Sequence, residues 1–343
     1  MIQFPNFKST CNSLLKKYLT EKVFNKLIHK KTKLDYSLHQ AIKSGLINTD
    51  SSIGVYAGDK ESYEVFKELF NPIIKDYHNF TENSTHQSNL NTDNLNIKNP
   101  DPKGEYILST RIRVGRNLKN TPLGSLISDK ERNEVEQIIK IALMSLSGNL
   151  AGEYYPLNNM LEQKREEMIN NHFLFKEGDR FLAAAGLNRN WPNGRGIYHN
   201  NKKDFLVWIN EEDQMRIISM QKGGDIKQVF TRLTTALNQL EKQLNFSYCN
   251  HLGYISSCPT NLGTAMRASV HISLPLLSKN KLEEITKKHH LQIRGIHGEH
   301  SASENAIFDI SNQRRLGITE IEAIQDLYNG VIQLIKEEKQ LEI

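Results

Sequence analysis

The chain has 343 residues, 38% of them hydrophobic and 24% charged, with a formal net charge of +5. That composition is ordinary for a folded soluble protein long enough for two domains, and it excludes a disordered or fibrous chain. Cys11, Cys249 and Cys258 form neither a disulfide framework nor a zinc spacing, no apolar run approaches the length of a bilayer span, and the opening "MIQFPNFKST" lacks a signal pattern, so a cytoplasmic protein without membrane partners is expected; basic residues dispersed rather than gathered in runs also set a nucleic-acid partner behind.

From Asn12 to Lys30, Leu15, Leu19, Val23 and Leu27 recur at helical spacing, and further helical patterns lie at 37–44 and 60–70, the last closed or kinked by Pro72. The Asp-, Ser- and Gly-containing "NTDSSIGVYAGD" between them is a loop. Residues 81–100, "TENSTHQSNLNTDNLNIKNP", are Asn-rich and nearly devoid of large apolar side chains, so they read as a linker that supplies no core face. The domain reading is therefore 1–80 all-helical, 81–100 linker and 101–343 a second, larger domain.

Beyond the linker, "YILSTRIRVG", "FLVWIN", "QMRIISM", "RASVHISL" and "LQIRG" alternate with the period of strands. Ser128 with Glu131 and Thr319 with Glu322 form capping boxes opening two helices, and another helix begins near Asp225. Strands around "NEED" suggest antiparallel pairing. The fold class is α+β: a small all-α N-terminal domain and a larger one with an antiparallel sheet flanked by helices.

Alternation places Arg111 and Arg113 on one face of their strand, and Arg267, Ser269 and His271 on one face of another. Arg216 and Arg294 leave further strands. One exposed pair would be unremarkable, but five strand-borne guanidiniums suit a polyphosphate, whose oxygens match their planar donor forks. No P-loop, GxGxxG or protein-kinase catalytic loop is present. The "NEED" carboxylates, Glu211, Glu212 and Asp213, fit a polar turn, a hold on waters around magnesium, or a grip on a cationic substrate. Glu299 lies in "RGIHGEHSASEN", a segment suited to a lid. Cys258 reads either as a buried apolar thiol or, near arginines, as a favoured thiolate.

The blocks "STRIRVGRNL", "HFLFKEGDRFLAAAG", "WPNGRGIYHN", "VWINEEDQMRIISMQKGGD", "CPTNLGTAMRASVHI", "RGIHGEH" and "YNGVIQLI" resemble the phosphagen kinases, the ATP:guanidino phosphotransferases, over nearly the whole chain from Ser13. The resemblance implies a sheet of about eight strands. It implies that Arg111, Arg113, Arg216, Arg267 and Arg294 bind ATP phosphates, with His172 and His271 lining the nucleotide site. Glu212 and Glu299 would hold the guanidinium beside the reactive Cys258. Ser51, Ser52, Ile53, Gly54 and Tyr56, in "SSIGVY", resemble a specificity loop for the substrate's amino-acid end, and Asp50 and Arg180 a pair linking the domains. Mg2+ would enter with ATP or ADP, held by phosphates and water, with no dedicated protein ligands. A monomer is implied, although dimers exist in the family.

Glu299 in "GEH" and the short loop at 51–56 resemble the members that phosphorylate L-arginine, which is the expected acceptor. Creatine, taurocyamine and lombricine are alternatives, as are a protein-arginine kinase, a silent arginine or nucleotide sensor, and an RNA-binding module. Intact Cys258, Glu212 and Glu299 speak against the sensor, and dispersed charge against the RNA binder. His297, Asn305-Ala306 and Gly58 depart from the family pattern of another arginine, a glycine pair and a proline.

Overall fold

The computed structural model describes residues 3–294 and 306–342. The first helical pattern divides into α1 (Leu14–Tyr18) and α2 (Glu21–Leu27) because Thr20 caps the second, its hydroxyl accepting from the Val23 amide. A full Ser37–Gln40 capping box opens α3 (Leu38–Ile47). The third pattern becomes α4 (Ser62–Val65) and α5 (Lys67–His78). Pro72 does not end α5, correcting one of the two expectations for it. The helix continues through the proline to Asn79, whose left-handed φ of 54° terminates it.

The remaining strands are β1 (Ile107–Arg116), β2 (Gly152–Pro156), β3 (Gly196–Asn200), β4 (Phe205–Ile209), β5 (Met215–Lys222), the short β6 (Tyr248–Cys249) and β7 (Gly253–Tyr254), β8 (Met266–Ser273), β9 (Leu291–Arg294) and β10 (Ile307–Asn312). Eight of them form one sheet in the order β2-β3-β4-β5-β1-β8-β10-β9, with every neighbouring pair antiparallel. Helices α6 (Asp129–Met144), α7 (Glu162–Asn170), α8 (Arg180–Ala184), α9 (Ile226–Leu240), α10 (Lys279–Lys288) and α11 (Glu320–Leu341) complete the fold. Both expected capping boxes are present, at α6 and α11, and Asp225 caps α9.

Ile112, Val114, Ile217, Val207, Ala268, Val270 and Ile310 all join one core cluster with the apolar sides of α6, α9 and α11. Period-two alternation then turns the intervening residues toward the opposite face, where the arginines stand. A second cluster, made by α1–α5, also takes in Leu123, Leu252, Ile255, Leu262 and Leu316 from the larger domain. Segment 81–100 is not devoid of core residues as expected: Leu95 and Ile97 bury in the main cluster, and Leu90 packs against it. Its asparagines serve local turns, with Asn91 capping the short helical turn Thr92–Asn94. No helix among the described residues is long and apolar enough to cross a membrane.

Candidate active site

Strand register builds the cationic face. In β1, Arg113 is paired with Arg267 of β8, Arg111 with Ser269, and Ser109 with His271. On the other side of β1, Gly115 is paired with Arg216 of β5, which is itself paired with Trp208 of β4. In β10, Asp309 lies between His271 and Arg294. Paired residues in an antiparallel ladder point to the same side, so Arg111, Arg113, Arg216, Arg267 and Arg294 share one face.

Each guanidinium is held differently. Arg216 reaches Glu211 at 2.8 Å and Glu212 at 3.0 Å, and Arg267 reaches Asp309 at 2.7 Å. Arg111 and Arg216 both lie over the Trp208 ring, 5.4 and 5.7 Å from its centroid. Nε and Nη2 of Arg111 and Nε of Arg267 are buried without a hydrogen-bond partner among the described residues. Burial first, then Arg216 and Arg267, pushes Arg111 down to about 10, and burial followed by Arg216 and Arg111 lowers Arg113 well below the usual arginine range. Crowded guanidiniums with unfilled donors form a receptor for an anion. His271 lies 3.9 Å from Asp309, is lowered mainly by burial and also feels His172, so the two histidines are neighbours. His172 itself is exposed, with a positive φ of 60°.

The "NEED" turn joins β4 to β5, and Asn210, at φ 54°, supplies its left-handed residue. Its carboxylates diverge. Asp213 turns inward, where Oδ1 accepts from Asn117 Nδ2 at 2.8 Å and the Ser257 amide at 3.0 Å. Glu211 and Glu212 face the arginines. Burial, followed by Asp213, raises Glu212 to about 7 against the opposing pull of Arg216. Its Oε1 accepts from Asn261 Nδ2 at 3.3 Å.

Cys258 opens the short helical turn Pro259–Asn261 and contacts the Thr260 hydroxyl at 3.1 Å. Burial and then Glu212 push its thiol up to about 12, while the Thr260 hydroxyl and amide pull it down. The thiolate expected beside the arginines is therefore disfavoured in the substrate-free protein, first by burial and then by the Glu212 carboxylate. Four carbonyls of this segment are fixed from outside it. Tyr63 Oη donates to Ser256 O at 2.8 Å, the Ala57 amide to Ser257 O at 2.8 Å and Arg315 Nη1 to Thr260 O at 3.0 Å, while His78 Nε2 lies 2.9 Å from Pro259 O.

The loop at 51–56 meets the same place. Tyr56 packs against Cys258 in one apolar cluster with Ala185 and Leu187, and its hydroxyl is raised by burial and then by Cys258 and Glu212. Ser52 O and Ile53 O accept from the Leu14 and Leu15 amides at 2.9 and 3.0 Å. Those carbonyls are occupied by α1, whereas the amides of Ser52, Ile53 and Gly54 donate to no hydrogen bond recorded among the described residues, and Gly54 holds φ 83°. Ser51 donates its amide to Asn48 O. A Cβ on Gly58 would stand 2.4 Å from the Tyr36 ring, so that ring accounts for the glycine. Arg180 forms a bidentate pair with Asp50, one arm at 2.8 Å, and Ser44 Oγ donates to Phe181 O at 2.8 Å, docking α8 on α3. Glu299, His297 and Asn305 lie outside the described residues; Ala306 adopts φ 58°.

Thus Glu212, Cys258 and Tyr56 meet at the edge of the arginine face. Asp309 and Asn261 escaped the sequence reading. Asp309 would have emerged had "IFDISN" been recognised as a strand, since alternation then points it at the arginines; Asn261 meets Glu212 only through tertiary contact.

Among the described residues no three His, Cys, Asp or Glu side chains cluster as a metal-ligand set. Residues 134–341 match the ATP:guanido phosphotransferase C-terminal catalytic domain and residues 9–75 the N-terminal domain of the same family. The chain is 51% identical to the arginine kinase Lit v 2 of Penaeus vannamei across 96% of this chain and 94% of that protein. It is 53% identical to an arginine kinase of Anthopleura japonica, covering 95% of this chain but 46% of that one. A lombricine kinase crystal structure superposes with a TM-score of 0.93 at 40% identity, covering 99% and 95% of the two chains. The substrate-free duplicated taurocyamine kinase of Schistosoma mansoni gives 0.92 at 41%, over 98% of this chain and 48% of that one.

Proposed function

The chain belongs to the ATP:guanido phosphotransferase family, and from that premise we propose that it reversibly transfers the γ-phosphoryl of Mg-ATP to the guanidinium of L-arginine, giving phosphoarginine and ADP as an energy buffer. The observation that carries this reading is the meeting of the arginine face with Glu212, Cys258 and Tyr56.

Phosphoryl transfer requires alignment and charge neutralisation more than covalent chemistry. Arg111, Arg113, Arg216, Arg267 and Arg294 would receive the phosphate oxygens; the donors of Arg111 and Arg267 left without a partner among the described residues would be satisfied as the mutual repulsion of the cations is relieved. His172 and His271 would border the nucleotide. When bound, magnesium neutralises charge on the transferring phosphates. Glu211, whose carboxylate stands on the arginine face paired with Arg216, would accept from its waters.

The acceptor nitrogen must be aimed at the γ-phosphorus and freed of a proton. Glu212 and Glu299 would hold the guanidinium through its N–H groups, and Glu212, raised to about 7, is suited to take that proton. Once the guanidinium sits between them, Glu212 no longer opposes a Cys258 thiolate, which would then add negative potential behind the acceptor. The amides at 52–54, which donate to no partner among the described residues, and Tyr56 would receive the amino-acid end. A lid formed by "RGIHGEHSASEN", as the family resemblance implies, together with domain closure would exclude water. Domains at 1–80 and 101–343 joined by 81–100, a monomeric state, a cytoplasmic setting and the absence of nucleic-acid or membrane partners go with this reading.

Identity near 50% with arginine kinases favours arginine over the lombricine and taurocyamine of the structural neighbours, at 40–41% identity. Purified protein mixed with Mg-ATP and, separately, arginine, taurocyamine, lombricine and creatine tests this. Arginine should give the highest kcat/KM; a higher value for another acceptor would reassign the substrate.

A further inference from the structure

We propose that Arg315, acting through Asn261, is a positioning residue for Glu212 in phosphoryl transfer; this deepens the reading above and rests on it. Arg315 lies just beyond β10, the strand by which the chain returns from residues 295–305. Its guanidinium is buried, and among the described residues one nitrogen, Nη1, makes both of its hydrogen bonds: to Thr260 O at 3.0 Å and to Asn261 Oδ1 at 2.5 Å. Asn261 passes the constraint on, since the same side-chain amide whose oxygen is held by Arg315 donates through Nδ2 to Glu212 Oε1 at 3.3 Å. An amide engaged at both ends cannot flip, so Arg315 fixes which atom Asn261 presents to Glu212.

The other Glu212 oxygen is held by Arg216 at 3.0 Å. The carboxylate is therefore stretched between the nucleotide-facing cation and the cysteine turn. The backbone ties the same pieces together, because the Thr264 amide donates to Arg315 O at 2.9 Å. A buried cation would ordinarily require a carboxylate in contact. No ion pair to Arg315 is recorded among the described residues, and its Nε is left without a partner. Such a costly arrangement is understandable when its product is the orientation of a neighbouring catalytic group.

A double-mutant cycle tests the relay with whichever guanidino acceptor the wild type phosphorylates. Arg315→Ala and Asn261→Ala should each lower kcat about tenfold or more, with KM for Mg-ATP unchanged within about twofold. The double variant should be no worse than the poorer single one, because both remove one connection. Arg315→Lys, whose ammonium can replace the single nitrogen that makes both contacts, should recover most of kcat and excludes misfolding as the cause.

A second readout needs no turnover: titration of the Glu212 carboxyl, assigned by its loss in Glu212→Gln. That carboxyl faces Glu211 and Asp213 from its own turn, Arg216 from β5, Arg113 from β1, Cys258 from the cysteine turn, Tyr56 from the N-terminal loop and the Arg315 cation. Either single variant should move its titration upward, and the double variant no further. Failure of the wild type to phosphorylate any guanidino compound would refute the function while leaving this titration to judge the relay. Multiplying losses, a Mg-ATP KM rising in step, or an unmoved titration would overturn it.

Discussion

Glu212 reaches Arg216 at 3.0 Å, so a carboxylate proposed to serve the acceptor is bonded to a cation proposed to serve the nucleotide. The coupling makes its protonation decisive. Burial and Asp213 raise Glu212 to about 7, so below that pH it is neutral and a poor partner for a guanidinium. The predicted profile of kcat/KM for the guanidino substrate therefore falls tenfold per pH unit below about 7. Glu212→Asp should keep a weakened limb and Glu212→Gln abolish it, with activity down at least about a hundredfold. A profile flat from pH 8 to 5.5 would contradict this assignment.

Thr260 opposes the rise in the Cys258 thiol through both its hydroxyl and its amide. Thr260→Val keeps the amide but removes the hydroxyl, so the thiolate should become scarcer. Alkylation of Cys258 by iodoacetamide at pH 8 should slow by about tenfold, equivalent to one pKa unit, as followed by mass spectrometry of the peptide carrying it. An unchanged or faster rate would show that the hydroxyl does not govern the sulfur.

Arg113 is half-buried among Arg216, Arg111 and Arg267, and it makes no side-chain hydrogen bond or ion pair among the described residues. Replacing such a charge by an apolar side chain removes desolvation and repulsion together. Arg113→Met should stabilise the ligand-free protein by about 1 kcal/mol, while weakening Mg-ADP binding at least about tenfold. Thermal unfolding with and without Mg-ADP checks both signs: the unliganded Tm rises and the nucleotide-induced increase shrinks.

His78 and His86 are each lowered to about 4, chiefly by burial. Their unfolded values near 6.5 lie above the folded ones, so the unfolded chain binds protons first as pH falls. Stability present above pH 6.5 is therefore lost between 6.5 and 4, by up to about 3 kcal/mol per histidine. Urea unfolding at pH 7.5 and 4.5 should show that loss, and His78→Gln, which can still donate to Pro259 O, should reduce it. Equal stability at both pH values would remove these histidines from the account.

What was legible in the sequence follows from range. Arg111, Arg113, Arg267 and His271 could be placed on one face because a strand alternates strictly, and the "NEED" turn because its flanks carry strong strand residues. β2, "GEYYP", and β10, "IFDISN", were missed because glycine, proline and polar residues interrupt their patterns, although sheet pairing holds both. Leu95 and Ile97 disappeared in the average composition of an Asn-rich stretch. The Arg315–Asn261–Glu212 chain joins residues separated by 54 and 49 positions and leaves no local signature.

The central claim is that the arginine face receives the nucleotide's phosphates while Glu212 and Cys258 receive the acceptor beside it. A crystal structure of the protein with Mg-ADP and L-arginine tests this most directly. The account predicts phosphate oxygens within hydrogen-bonding reach of Arg111, Arg113, Arg216 and Arg267, and the arginine guanidinium lodged against Glu212 and Cys258. Phosphates bound away from those four side chains, or a guanidinium remote from that carboxylate and sulfur, would contradict it.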